Sequence, residues 1–281
     1  MMGSAADADD VVQDTFERAL SRPPADSERD LLPWLLQVAL NLSRDQLRRR
    51  KRQGYTGPWL PAPVSFEGLL YEPAADARYG ELESVSMAFL VALEALTATQ
   101  RAVVLLTDVL GYSVREVAFV LAKSEGNVKV SHHRARAALA SYDSTRVPLT
   151  QALQEQTKTA LMQLMQSLQA GDVAALETQL SEDVRAVNDS DGEYHAAGVP
   201  VLGRERVIRF HLKLRREQAP RLSVQVLNGL PAVVAEFAEA PEGVAERLVF
   251  FVRLDAEGKV CEMNTVLASG KLGHVMFRGI A

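Results

Sequence analysis

Cationic side chains are concentrated in two short stretches of a chain whose formal net charge is -5. Residues 44 to 52 hold six basic residues and one acid. The six are Arg44, Arg48, Arg49, Arg50, Lys51 and Arg52. Residues 129 to 136 hold Lys129, Arg134 and Arg136 beside His132 and His133. Such densities can neutralise phosphates, so any nucleic-acid contact of this acidic chain must be local to these stretches. A solvated basic helix end is the alternative interpretation.

The second stretch lies in a pattern of helix, tight turn and helix that runs from residue 111 to residue 139. Small or apolar residues stand where the two helices would pack, at Val117, Ala118, Leu121 and Val128. Ser124 is a natural N-cap, which would point the start of the second helix at a DNA groove. The predicted DNA contacts are Ser124, Asn127, Lys129, Ser131, His133, Arg134 and Arg136. A helical hairpin with a solvated basic face is the alternative.

Two further helices are predicted before this motif. Apolar spacing favours an acidic amphipathic helix over residues 7–20 and a second helix over 30–53, whose apolar stripe gives way to the basic residues. Residues 54–80 are rich in proline and glycine, which predicts an interdomain linker. Its apolar side chains, Trp59 among them, are too many for a purely solvated tether, so we expect part of it to dock.

The rest of the chain changes from helical to strand periodicity. Short helices are predicted over 81–143, and a longer helix from Pro148 to about Ala170. Strands are predicted over 183–187, 221–228, 232–238, 247–254 and 259–267, with a helix over 204–218 and a hairpin turn at 255–258. A helix followed by a curved antiparallel sheet is an α+β arrangement. The fold class is therefore multidomain, with all-α domains followed by an α+β domain.

Composition excludes several classes of protein. The chain has 281 residues, of which 47% are hydrophobic, as in soluble globular proteins. It has no apolar run of ~18 residues and no secretory start, so we expect a cytoplasmic protein without a membrane partner. Cys261, the one cysteine, lies in a strand-like stretch and is predicted to be buried. We expect neither a metal nor a cofactor.

The start of the sequence resembles one family specifically. Residues 3–16, Gly-Ser-Ala-Ala-Asp-Ala-Asp-Asp-Val-Val-Gln-Asp-Thr-Phe, are similar to the core-polymerase-binding helix of extracytoplasmic-function sigma factors. The resemblance implies that residues 34–50 contact the -10 promoter element, and the helix-turn-helix the -35 element. Core RNA polymerase and promoter DNA are then the partners. The implied polymerase-binding residues are Asp10, Gln13, Asp14 and Glu17, and the implied -10 contacts are Arg44, Arg48, Arg49 and Arg50.

The linker resembles that of a subgroup with a SnoaL-like C-terminal cone. Trp59-Leu60-Pro61-Ala62-Pro63 matches its Trp-Leu-Pro-x-Pro signature, which implies docking through Trp59, Leu60 and Pro61. Asn264 and Lys271-Leu272 are similar to its Asn-Pro-Asp-Lys-Leu element, at longer spacing. Residues 189–195 replace its Asp-Gly-Gly-Gly stretch. The implied domains are sigma region 2 (1–53), linker (54–80), sigma region 4 (81–145) and SnoaL-like domain (149–281).

The family normally has another helix before the motif at Gly3. The sequence starts directly before that motif, so we expect region 2 to lack its first helix, through truncation or through altered architecture. Loss of that packing could impair promoter melting. A DNA-binding regulator or decoy without initiation competence is therefore an alternative function.

SnoaL-like cones include enzymes, which makes some polar residues catalytic candidates. The candidates for acid–base chemistry are Asp189, Asp191, His195 and His211. Acids after a strand are usually turn formers, and a helical histidine is usually at the surface or satisfied in the core. We therefore predict that the chain is not an enzyme. We expect the C-terminal domain to be regulatory, packing on the linker and on the two promoter-reading domains and so setting their separation. A cone that senses a small molecule of unknown identity is a further alternative.

Overall fold

The computed structural model describes residues 1–24, 30–52, 57–65, 78–214 and 220–277. The chain splits into two compact units, one comprising Met1–Gly54 and Gly68–Pro148, the other Tyr55–Glu67 and Leu149–Ala281. The first unit is helical, whereas the second combines helices with a six-stranded sheet. This confirms the predicted class of all-α domains followed by an α+β domain.

The first unit begins with two helices, α1 (Ala5–Ser21) and α2 (Leu32–Arg52). The hydroxyl oxygen of Ser4 caps α1 by accepting a hydrogen bond from the Asp7 N–H at 3.2 Å. The two helices pack around buried Met2, Val11 and Leu42. Both predicted helices are confirmed.

Short helices follow: α3 (Glu81–Ser84), α4 (Met87–Leu93), α5 (Ala98–Val104), α6 (Val114–Val120), α7 (Glu125–Ala138) and α8 (Ala140–Thr145). Reciprocal capping boxes start α5 at Thr97 and α6 at Ser113, which fixes where each helix begins. A π-helical turn, Leu105–Val109, continues α5 and was not predicted, because its residues fit an ordinary apolar helix.

The second unit begins with α9 (Gln151–Ala170), which ends at Gly171 in the left-handed conformation (φ 72°). A further helix, α10 (Val173–Gln179), follows at once. No helix was predicted between Gly171 and the strand expected over 183–187, so α10 is an addition to the predicted elements. The Asp172 carboxylate accepts the Ala175 N–H at 3.0 Å and Leu176 is fully buried, so a cap and one apolar anchor are enough for this helix.

The sheet has the strand order β2-β1-β6-β5-β4-β3. Its strands are β1 (Leu180–Asp189), β2 (Val201–Leu202), β3 (Arg221–Leu227), β4 (Leu230–Glu236), β5 (Arg247–Leu254) and β6 (Val260–Val266). Helix α11 (Arg204–Lys213) precedes β3; the end of the helix predicted over 204–218 falls partly outside the described residues. The predicted wholly antiparallel sheet is wrong, because β1 pairs in parallel with β6 while the other neighbours are antiparallel.

Turn chemistry moves several strand boundaries from their predicted positions. Strands β3 and β4 are joined by Asn228 and Gly229 alone, with φ of 50° and 79°, as a two-residue turn with positive φ requires. The hairpin turn at 255–258 is confirmed, since the Asp255 N–H donates to the Lys259 carbonyl at 2.9 Å. Cys261 lies at a register shift in β6 and is only half-buried, so its predicted place in the core is wrong.

Helices α9–α11 cover one face of the sheet. Fully buried leucines of α9 and α10 pack on strand residues that point the same way; the centre of this core is Leu161, Leu164, Leu176, Val233, Phe250 and Met263. The opposite face is available to hold another segment of the chain, because strand side chains alternate between faces.

Adjacent residues of α9 test this packing. Leu161 is fully buried and Met162 is 50% exposed. In a Trp34→Phe background, which leaves Trp59 as the reporter of the second unit, Leu161→Ala should lower the free energy of unfolding by about 2–5 kcal/mol. Met162→Ala should change it by no more than about 0.5 kcal/mol. Urea unfolding followed by tryptophan fluorescence measures both; equal effects would contradict the assigned core.

Candidate DNA-contacting helices and linker-docking site

Helix α7 presents a polar surface to solvent. The Ser124 hydroxyl oxygen accepts the Asn127 N–H at 3.3 Å, so the predicted N-cap is present. Val128 and Ala135 are fully buried and fix which side of α7 faces inward. Ser124 and four further predicted DNA contacts are exposed, and these four are Asn127, Lys129, His133 and Arg134. Ser131 is half-buried at the edge of this surface.

Arg136 differs from these side chains because a buried carboxylate holds it. Its guanidinium donates to Asp108 Oδ1 at 2.6 Å, while His132 Nε2 lies 2.8 Å from Asp108 Oδ2. Asp108 is 2% exposed and belongs to the π-helical turn. Two side chains one turn apart on α7 are thus attached to a single acid of the π-helical turn that continues α5. Sequence reasoning missed Asp108, although a lone acid within an apolar stretch is a usable signal.

Asp108 keeps its negative charge in the folded chain. Burial alone would raise the pKa of this carboxyl, but hydrogen bonds and charge from His132 and Arg136 outweigh burial and lower the pKa below its ordinary value. The acid therefore acts as a charged anchor for the orientation of α7. Removal of the charge would leave both donors with a weaker acceptor.

Asp108→Asn should loosen α7, because hydrogen bonds to charged groups contribute about 1.5–3 kcal/mol. A lowered pKa stabilises the fold above the ordinary aspartate pKa of about 4, and that stabilisation is lost as the pH falls through the lower folded-state value. Amide exchange of α7 peptides should thus be faster in the variant at pH 6 to 7. The difference should shrink as the pH falls below about 4; a difference that grows there would contradict the assignment.

The predicted polymerase-binding residues form one row on α1. Asp10, Gln13, Asp14 and Glu17 are all exposed, and their spacing places them on one side of the helix. Val11 and Thr15 are buried on the opposite side. The row can therefore meet a basic surface without any change in the packing of α1.

The predicted -10 contacts on α2 are in two different environments. Arg48 and Arg49 are exposed and Arg44 is half-buried. Arg50 instead donates to Glu94 Oε2 at 2.7 Å, and Arg101 donates to the other oxygen of Glu94 at 2.6 Å. Glu94 thus bridges α2 to the helices that precede the helix-turn-helix. The charge of Arg50 is therefore already used inside the unit.

Two side chains of the cone, Asp189 and Lys271, hold the linker. The Leu60 N–H donates to Asp189 Oδ2 at 2.6 Å, and the Lys271 ammonium donates to the Leu60 carbonyl at 2.9 Å. Lys271 is ion-paired with Asp189, and its Nζ lies 4.5 Å from the ring centroid of Trp59. One lysine thus contacts a strand carboxylate, a linker carbonyl and a linker aromatic ring.

The docked segment is well buried. Asp189 is 0% and Lys271 8% exposed, while Leu60 and Ala62 are each 2% exposed and Pro61 is buried. Four residues after Leu60, the Val64 N–H donates to Asn228 Oδ1 at 3.2 Å and the Val64 carbonyl accepts the Asn228 N–H at 2.8 Å. The turn residue Asn228 therefore provides a second anchor.

The four candidates for acid–base chemistry do not converge. Asp189 is the last residue of β1, so its interpretation as a loop acid is wrong; it lies on the sheet face opposite Ala186, which is in the core. Asp191 is an exposed turn residue with φ 48°. His195 is exposed. Burial lowers the pKa of His211, whose Nδ1 donates to the Val207 carbonyl at 2.9 Å.

Lys271→Ala should destabilise the second unit by about 3–5 kcal/mol, because it leaves the Asp189 carboxylate buried and unpaired. The matched control is Lys259→Ala, which removes a surface pair at 3.9 Å and should cost at most about 1 kcal/mol. In the Trp34→Phe background, urea unfolding measures the change, and the emission of Trp59 should shift to the red in the lysine-271 variant alone. An unchanged emission maximum would show that Lys271 does not hold the linker.

These features define a class: a helical DNA-binding module with a helix-turn-helix, joined by a docked linker to an α+β cone. Family models match accordingly, Sigma-70 region 2 over residues 1–53 and Sigma-70, region 4 over residues 86–139. Within the described residues, no helix has the length and apolarity needed to cross a membrane.

The particular family follows from whole-chain similarity. The chain is 31% identical over 277 residues to "ECF RNA polymerase sigma factor SigJ" of Mycobacterium tuberculosis, covering 94% of this chain and 84% of that protein. It is 26% identical over 248 residues to "Probable ECF RNA polymerase sigma factor SigI" of the same organism, covering 87% and 81%. This chain therefore belongs to the extracytoplasmic-function sigma factors, which bind core RNA polymerase and direct transcription from promoters.

The solved structure of SigJ from Mycobacterium tuberculosis aligns with 97% of this chain and 92% of its own, with a TM-score of 0.69 and 26% identity. The likeness thus includes the sheet domain as well as the helical module. The resemblance to sigma factors with a SnoaL-like C-terminal cone is confirmed. The predicted domain boundaries and the roles of individual residues stay predictions.

Proposed function

We propose that the cone regulates this sigma factor by binding the linker, and that it acts as a binding module without catalytic activity. The observation that carries the proposal is the buried contact of Asp189 and Lys271 with the backbone of Leu60. The linker connects α2, the proposed -10 helix, to the helices that lead to α7, the proposed -35 helix. Its conformation therefore bears on how the two promoter elements are engaged together.

A buried ion pair is an expensive way to stabilise a domain, since apolar residues of similar volume often do as well. Here, however, both charged groups also form hydrogen bonds with the linker. When the linker leaves, these groups lose partners at once, which favours two discrete states over gradual loosening. A two-state contact of this kind suits a regulatory domain.

The proposed roles of the helices follow from exposure. The acidic row on α1 contacts polymerase, and Arg44, Arg48 and Arg49 contact the -10 element. Asn127, Lys129, His133 and Arg134 contact the -35 element, with Ser124 and Ser131 at the margin. Arg136 and Arg50 act mainly by holding their helices, since each is ion-paired to an acid of another helix.

A regulatory rather than enzymatic cone is supported by where its polar residues lie. The acid–base candidates are separated between the two faces of the sheet and the surface. Sigma factors work with polymerase on chromosomal DNA, so we place this chain in the cytoplasm. A small molecule that binds the cone would fit the same scheme by changing the affinity for the linker.

Run-off transcription from the region upstream of the chain's own gene, with core RNA polymerase, tests the proposal. The full chain should give specific transcripts, and Lys271→Ala should change their yield severalfold while Lys259→Ala should not. A version that ends near Val147 lacks the cone, so the difference between its yield and that of the full chain shows whether the cone activates or represses transcription. Equal yields from all four proteins would refute regulation by the cone. No transcript from any of them, with DNA binding intact, would favour the decoy alternative.

Arg134→Ala should weaken promoter binding and flatten its salt dependence. Loss of one phosphate contact lowers the slope of log K against log salt by about 0.9. The control Arg209→Ala removes an arginine of α11 that is 71% exposed and should leave both quantities unchanged. Fluorescence anisotropy at several salt concentrations gives the slope. Unchanged binding by the Arg134 variant would show that α7 does not contact the DNA.

A further inference from the structure

Helix α7 carries one apolar side chain on its polar surface. Val130 is 50% exposed, although Val128 on the same helix is fully buried. Among the large apolar side chains of α7, which is described over its whole length, Val130 is the one left in solvent. It follows Asn127 by three positions and precedes Arg134 by four, so all three lie on one side of the helix.

Neither packing nor local structure explains this valine. A half-exposed side chain contributes little to the core, and valine is a poorer helix former than alanine, lysine or arginine. A branched side chain does, however, keep one preferred rotamer in a helix, so its methyl groups are held in place before any ligand arrives. This suits contact with another small apolar group.

We infer that Val130 determines part of the promoter specificity by contacting the 5-methyl group of a thymine in the major groove. Thymine alone among the four bases presents a methyl group there, and apolar side chains recognise it by contact. Asn127 and Arg134 flank the valine and supply donors to neighbouring base edges or phosphates. This inference rests on the proposed role of α7 as the -35 helix.

The test uses the full chain and a duplex enriched by that chain from a randomised pool. Each thymine of the enriched duplex is replaced singly by deoxyuridine, which removes the methyl group and nothing else. Burial of one methyl group is worth about 0.8 kcal/mol, or about a fourfold change in Kd. Wild-type protein should lose about fourfold in affinity at one thymine.

Val130→Ala should bind the original duplex more weakly and should show no further loss when that thymine becomes deoxyuridine. The matched control is Val173→Ala, which truncates a valine of α10 that is 45% exposed and should keep the wild-type response. A response to deoxyuridine that is the same in Val130→Ala and wild type, or is absent at every thymine in wild type, overturns the inference.

Different results contradict the proposed -35 role of α7 and the inference about Val130. If no sequence is enriched, or if Arg134→Ala binds the enriched duplex as wild type does, α7 does not contact DNA and both the proposed -35 role and this inference fail. If enrichment and the Arg134 effect are present while the methyl response is independent of Val130, only the inference about Val130 fails.

Discussion

The organisation of this sigma factor depends on one buried charge pair. Asp189 ends strand β1 and Lys271 follows strand β6, so the positions of both residues are set by two neighbouring strands of the sheet. Between them they satisfy the N–H and the carbonyl of Leu60, which makes a proline-rich segment part of a folded domain. Prolines help here, because a linker with restricted φ loses less entropy when it docks. The cone thus uses its outer face for the linker and its inner face for its own core.

The helix-turn-helix uses a similar solution on a smaller scale. Asp108 is buried in a π-helical turn and binds His132 and Arg136 of the proposed recognition helix. In both places a carboxylate carried by one element fixes the position of a second element through hydrogen bonds and an ion pair. Apolar packing alone would permit small rotations of either element, whereas directional hydrogen bonds to a charged acceptor restrict them. The residues on the exposed side of α7 are then not needed to hold the helix in place and can serve in recognition.

Sequence reasoning predicted the helices of the first unit and the helix-turn-helix because their apolar periodicity and caps are local signals, as at Ser124. It predicted linker docking from the apolar content around Trp59. It failed where the determining contact is distant in sequence. The parallel pairing of β1 with β6, the burial of Asp189 and the anchoring of Arg136 by Asp108 each join residues that no local pattern connects. Short features such as α10 and the Asn228–Gly229 turn were locally encoded, but the stronger periodicity of the longer elements beside them obscured them.

Docking of the linker also changes the topology of the chain. Leu60 and Lys271 are 211 positions apart, so their bond closes a ring that contains α3 to α8 and most of the cone, while α1 and α2 precede the ring in the chain. The entropy lost on closing a ring grows only with the logarithm of its length, about 0.6 kcal/mol for each doubling. Insertions outside the docked segment would therefore hardly weaken closure. When Leu60 and Val64 are both released the ring opens, and the chain then connects the helical unit to the cone only on the C-terminal side of the helix-turn-helix.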